Sequence, residues 1–197
     1  MSTNVLVIPE DPTKDQYILK PLVEKICEEA GLTAQVEVCK DPNFHGISGA
    51  MDADRLNREV IARYSMVKLF LLIVDRDGVS NRGVAAQHLQ DTLSFSLRDN
   101  GKRFFVTLAW QEVEIFILAG HDLGGIGEWR EIRNDPDVKN TYFKTLVTRE
   151  KTADYPYEGR KKLMAAAIAN FKRILTLCPE DAGQLLGQLK DIRKNVG

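Results

Sequence analysis

The run Leu69-Phe70-Leu71-Leu72-Ile73-Val74 is apolar without interruption and ends abruptly in Asp75-Arg76-Asp77-Gly78. A segment this rich in branched and aromatic residues, with no polar alternation, reads as a strand covered on both faces. Such a strand lies in the middle of an open α/β sheet, and ligands bind beyond the carboxyl ends of those strands. Two carboxylates there repel by roughly 4 kcal/mol at ~4 Å and an effective dielectric near 20. A hard divalent cation with oxygen ligands, Mg²⁺ or Mn²⁺, is the simplest compensation. A solvated Asp-x-Asp-Gly turn is the plainer alternative.

Around this strand the first half of the chain alternates between the two secondary-structure periods. Val5 to Ile8 is a short apolar strand. Asp15 to Ala30 carries Ile18, Leu19, Leu22, Val23, Ile26 and Cys27 at helical spacing, and Gly31 follows as a cap. Pro21 inside that pattern marks a late start or a kink. Ala34 to Cys39 alternates as a second strand, and Asp52 to Tyr64 reads as a helix. Lys68 to Val74 is the third strand, and a helix follows from Asn81 to Asp99, capped by Ser80 or Asn81. Asn100-Gly101 is a turn into a fourth strand, Arg103 to Ala109. This order implies an α/β fold with a Rossmann-like, four-stranded, mainly parallel sheet. After Ala109 the pattern is helical: Glu112 to Ala119, Asp135 to Thr148, Gly159 to Leu177 and Glu180 to Lys194, with a glycine-rich loop from His121 to Trp129. Residues 1–120 form the α/β domain, and residues 121–197 are a helical extension expected to pack on it.

With 197 residues, 44% hydrophobic and 28% charged, the chain can bury a sizeable core. Its apolar runs fall far short of a membrane span. No basic segment precedes the first strand, so no secretory signal is expected. Cys27, Cys39 and Cys178 lack metal-ligand spacing and read as reduced core thiols in a cytoplasmic protein. The net charge of −1 conceals an asymmetry. Residues 1–78 carry 9 basic and 13 acidic side chains, whereas residues 129–173 carry 11 basic and 6 acidic. That division suits a metal site beside a polyanion-binding surface, although solvated helix faces would give the same counts.

A second acidic element follows the first strand, in Pro9-Glu10-Asp11-Pro12-Thr13-Lys14-Asp15. In doubly wound sheets of order 2-1-3 the first and third strands are neighbours, which would set Glu10 beside Asp75 and Asp77. Converging carboxylates of this kind can hold one or two Mg²⁺ ions, which activate water and stabilise charge on a phosphoryl group.

The chain here resembles the TOPRIM domain, with a Glu after the first strand and Asp-x-Asp after the third. The resemblance lies in PEDPTKDQYILKP, RYSMVKLFLLIVDRDG and, more loosely, LAWQEVEIFILAG, across roughly residues 4–120. The nearest relatives in pattern are small stand-alone proteins akin to OLD-type nucleases of bacterial defence and mobile elements. Many of these have Glu-Gly where this chain has Glu10-Asp11. The resemblance implies Glu10 as general acid/base or metal ligand, and Asp75 and Asp77 as metal ligands. It adds Glu112 and Glu114 as a further acidic motif, with an ATPase subunit as a partner of some relatives. Glu114 two positions on would face away from Glu112 on a helix, and acidic residues at a helix N-terminus account for the pair equally well. Asp11 and Asp15 are additional ligand candidates, with Asp15 also placed to cap the first helix.

Arg76, within the Asp-x-Asp turn, and Arg82, in the first turn of the helix after it, are candidate phosphate contacts, and a carboxylate partner would equally offset the position of Arg82. Lys151 and the run Arg160-Lys161-Lys162 are candidates for a nucleic-acid backbone, against the default of a solvated helix start. Trp110 and Trp129 read as packing or hinge aromatics in preference to base-stacking platforms. His45, His88 and His121 have no zinc-ligand spacing. The leading expectation is a Mg²⁺- or Mn²⁺-dependent phosphodiesterase that nicks or cleaves nucleic acid, with DNA the favoured partner and no membrane contact. A receiver-like phosphoacceptor and a non-catalytic subunit of a defence complex are the competing classes. A haloacid-dehalogenase phosphatase would need its Asp-x-Asp-Gly after the first strand instead of the third.

Overall fold

A computed structural model describes residues 2–44 and 46–196, with the side chains of residues 195 and 196 outside the description; His45 therefore lies outside the described residues. Four strands form one parallel sheet: β1 (Thr3–Pro9), β2 (Ala34–Val38), β3 (Leu69–Asp75) and β4 (Arg103–Ala109). Their order is β2-β1-β3-β4, so β1 and β3 are adjacent, with Val7 opposite Leu71 and Pro9 opposite Ile73. All three pairings are parallel, as the alternation of strand and helix implied.

The central strands divide their residues between two cores because successive side chains point to opposite faces. Val5 and Val7 of β1, with Leu69, Leu71 and Ile73 of β3, enter one core; Leu6, Ile8, Phe70, Leu72 and Val74 enter the other. The first core is roofed by α1 (Gln16–Ala30) and by helices from the second half of the chain. The second lies beneath α2 (Ile47–Ala50), α3 (Ala53–Leu56) and α4 (Arg82–Leu97). Each large aliphatic side chain buried in this way contributes about 1.5–3 kcal/mol, so both faces commit β3 to the middle of the sheet.

α1 stays continuous through Pro21 and ends at Gly31, whose φ of 72° is the left-handed conformation that glycine adopts without strain. The helix expected over residues 52–64 is broken into α3 and a π-helical segment, Asn57–Ile61. Beyond β4 come α5 (Ile115–Gly120), α6 (Trp129–Asn134), α7 (Lys144–Arg149), α8 (Arg160–Ala169), α9 (Phe171–Leu177) and α10 (Gln184–Val196). α8 packs on α1 and α5, and α10 packs on α1. The crossing of α5 and α8 is close: a Cβ at Gly120 would lie 2.5 Å from the Ala167 Cα. The single helix expected over residues 159–177 is interrupted at Asn170, whose side-chain amide donates to the Gly120 carbonyl at 2.8 Å.

β4 is an edge strand, and side chains engage its outward backbone groups. Ser94 donates to the Phe104 carbonyl at 3.0 Å, Gln90 accepts from the Val106 N–H at 2.9 Å, and Asp181 accepts from the Trp110 N–H at 3.1 Å. No described helix is long and apolar enough to cross a membrane, and Cys27, Cys39 and Cys178 are buried free thiols.

Candidate metal centre

The adjacency of β1 and β3 brings the two acidic turns together. Glu10, at the end of β1, accepts a hydrogen bond from the Asp75 N–H at 2.9 Å. The Asp75 carboxylate in turn accepts from the Val113 N–H at 2.9 Å, which ties the end of β3 to the segment after β4. Asp77 adopts a φ of 49° and Gln111 a φ of 76°, both uncommon for residues other than glycine. The two turns lock each other. The Gln111 carbonyl accepts from the Arg76 and Asp77 N–H groups at 2.8 and 3.0 Å, and its side-chain oxygen accepts from the Gly78 N–H at 2.6 Å. Backbone held in sparsely populated regions by surrounding hydrogen bonds tends to cluster at functional sites.

The result is a set of three carboxylates, Asp75, Asp77 and Glu112, each offering an oxygen within 4.8 Å of the others. At that separation each ionised pair repels by about 3.5 kcal/mol at an effective dielectric near 20. The donor set is all-oxygen and hard, the preference of Mg²⁺ and Mn²⁺. The fold therefore presents an acidic triad capable of coordinating a divalent metal at the carboxyl edge of the sheet.

A cleft of about 540 Å³ opens over this edge, lined by Glu10, Asp11, Asp15, Asp75, Glu112 and Glu114 together with Lys14 and Lys139. The excess of carboxylates shows in their protonation. Burial, then the charges of Glu114, Asp15, Glu10 and Asp77, holds the Asp75 carboxyl well above the ordinary range. Burial raises Glu10 as well, opposed by its hydrogen bond from Asp75. Glu112 is raised to about 7, chiefly by burial, although the Lys139 N–H donates to it at 2.6 Å. Asp15 also rises to about 7, by burial and then by the charge of Glu114.

The other expected site residues are distributed unevenly. Glu10 reaches Asp75 but is not one of the three clustered ligands, and Glu112 takes the third place. Asp11 lines the cleft and accepts from the Thr13 N–H at 2.8 Å. Asp15 stands at the start of α1 without capping it; its carboxylate accepts instead from the Asp11 N–H at 3.2 Å. Arg82 bridges the Asp75 carbonyl at 2.7 Å and the Asp77 carboxylate at 2.5 Å, an opposite charge that offsets its place in the first turn of α4. Arg76 faces away from the cleft and lies over the Trp110 ring, 3.9 Å from its centroid.

Arg160 is a correction. It is 0% exposed, with its guanidinium on Glu114 at 2.6 Å and Glu158 at 2.5 Å, so the solvated or DNA-facing position expected for it is not the one the fold supplies. The cause is Glu114, buried immediately before α5, which requires a buried cation. Lys161 and Lys162 are exposed on α8, the latter over the Tyr155 ring, and Lys151 is exposed with a φ of 53°. None of these three lines the acidic cleft. Sequence reasoning did not single out Gln111, Lys139 or the Arg160–Glu114 pair, whose roles depend on contacts across 33, 27 and 46 residues.

No family model matches the chain, and neither a curated protein nor a solved structure matches it, so its likeness to TOPRIM proteins rests on the motif residues alone.

Proposed function

We propose that this protein is a metal-dependent phosphodiesterase that nicks or cleaves nucleic acid. The observation that carries the reading is the convergence of Asp75, Asp77 and Glu112 within 4.8 Å at the end of the central strand. A divalent ion held there supplies Lewis-acid polarisation of a phosphoryl oxygen and lowers the pKa of a water ligand. The chain's own residues account for the rest. Asp75, with one oxygen fixed by the Val113 N–H, orients the ligand set. Glu10, held on the Asp75 N–H and with its carboxyl raised by burial, is placed to accept a proton from a metal-bound water. Arg82 is placed to exchange its Asp77 contact for a phosphate oxygen, a charge-assisted pairing of similar geometry. Lys14 and Lys139, on the cleft wall, offset the charge of an incoming backbone.

The test is incubation of the purified chain with supercoiled plasmid, single-stranded DNA and RNA, with Mg²⁺ or Mn²⁺ and with chelator. The expected result is cleavage that requires the metal and disappears in Asp75→Ala. Cleavage that persists in chelator and in that variant rejects the assignment.

A further inference from the structure

On the side of the Asp75–Asp77 turn opposite the acidic cleft lies a second cavity, of about 290 Å³, lined by Arg76, Gln87, Gln90, Trp110, Glu180 and Gln184 over an apolar floor of Val106 and Leu108. Arg76 stands apart from the neighbouring arginines. Arg82 is held by Asp77, Arg133 by Glu180 and Asp181, and Arg160 by Glu114 and Glu158. Among the described residues the Arg76 guanidinium forms no ion pair, and it is held 3.9 Å above the Trp110 ring centroid. Stacking engages the face of a guanidinium and leaves its edge donors free in a fixed plane. Such a fork matches two adjacent acceptors.

The remaining walls select among ligands that offer two acceptors. Glu180 opposes a bare anion, since only one of its oxygens is engaged by Arg133, at 2.9 Å. The apolar floor favours a flat, uncharged ring, and the volume suits one heterocycle. Gln87 donates one amide hydrogen to Asp91 and keeps its carbonyl, whereas the Gln90 carbonyl accepts from the Val106 N–H and its amide hydrogens remain. Guanine presents adjacent O6 and N7 acceptors to an arginine fork, where adenine places an amino group. Its ring and exocyclic N–H groups suit the Glu180 carboxylate and the Gln87 carbonyl.

We propose that this cavity receives a guanine base of a single-stranded nucleic acid whose neighbouring phosphate lies over the acidic cleft, a specificity pocket that rests on the phosphodiesterase reading. Arg76 lies between two of the three clustered carboxylates, so base pocket and cleft flank the same three-residue segment. A strand crossing that segment can engage both at once.

The experiment uses the full chain carrying Trp129→Phe, which leaves Trp110 as the fluorescent reporter at the pocket. It is titrated without metal with the pentanucleotides TTGTT and TTATT, with a duplex of the former and with guanosine 5′-monophosphate. The expected result is saturable quenching by TTGTT at about tenfold lower concentration than by TTATT, one good bidentate pairing, with the duplex and the free nucleotide weaker. Arg76→Ala abolishes the preference. Arg76→Lys, which keeps the charge and loses the fork, abolishes it too, and an unchanged melting temperature in either variant assigns the loss to the pocket. Equal binding of TTATT, equal binding of the free nucleotide, or a preference that survives both substitutions overturns the proposal. Metal-dependent cleavage of an all-thymine strand, run in parallel, separates the two readings. Cleavage without guanine preference removes the pocket and leaves the phosphodiesterase; the preference without cleavage does the reverse.

Discussion

Arg160 and Glu114 meet at 2.6 Å in the interior, directly behind the acidic cleft that Glu114 helps to line. Their ion pair fixes the wall of the cleft, and removing either partner leaves an unpaired charge in a dry place. Arg160→Met is expected to cost about 3–5 kcal/mol in urea denaturation. The double variant Arg160→Met/Glu114→Gln, which buries no charge, is expected to recover most of that loss. Equal stability of the wild type and the single variant would show that the pair is solvated.

The carboxylate cluster makes a metal prediction that does not depend on catalysis. Asp75→Asn keeps an oxygen that can accept from the Val113 N–H, so the fold should survive. It removes one of three charged ligands, and Mn²⁺ affinity by calorimetry should fall at least about tenfold, the scale of one lost charge-assisted contact. Undiminished affinity would place the ion elsewhere.

In metal-free protein, stability should decline as pH rises from about 4 to about 7. Asp15 moves from 3.8 to about 7, and Glu112 from 4.5 to about 7. Over that window the folded chain retains protons that the unfolded chain releases, so the slope of unfolding free energy with pH is negative. The stabilising contribution is complete below about 4 and lost above about 7. Melting temperatures in chelator at pH 5.5 and 8 measure this. Asp15→Asn should flatten the dependence, and saturating Mg²⁺ should raise the melting temperature more at pH 8 than at pH 5.5.

Glu10 serves both geometry and chemistry, and Glu10→Gln separates them. The amide oxygen can still accept from the Asp75 N–H, so circular dichroism and melting should be nearly unchanged. Cleavage should fall by about 10²–10⁴-fold, the usual contribution of a general base. A variant that loses fold and activity together would make Glu10 a structural group alone.

Gly120→Ala is expected to destabilise by about 1–3 kcal/mol, because its methyl would collide with Ala167 at the crossing of α5 and α8. Gly125 has open space around it but a φ of 75°, so alanine there should cost less, through backbone strain alone. Comparing the two in denaturation tests whether that crossing is as close as 2.5 Å implies.

The parts of the molecule legible in the sequence were those with local physical causes. β4 occupies Arg103–Ala109 as read, and β3 differs by one residue at each end, because an apolar strand leaves its period on the chain. The neighbouring of β1 and β3 followed from topology and brought Glu10 to Asp75. What escaped was set by distant contacts. Asn170 breaks a helix that its local sequence favours because its side chain answers the Gly120 carbonyl. α6 lies in and after a glycine-rich stretch that gives little helical signal. Arg160 carries every local mark of a surface residue, within a basic run at a helix start, yet Glu114, 46 positions away, holds it in the interior.

On the outer side of strand β4, Ser94 occupies the Phe104 carbonyl and Gln90 the Val106 N–H, and Asp181 takes the Trp110 N–H just beyond the strand. A visiting peptide would therefore have to displace three side chains before it could zip onto that flank. Growth of the sheet in that direction is obstructed, and whatever this molecule grips along β4 must be met through side chains instead of a borrowed ladder.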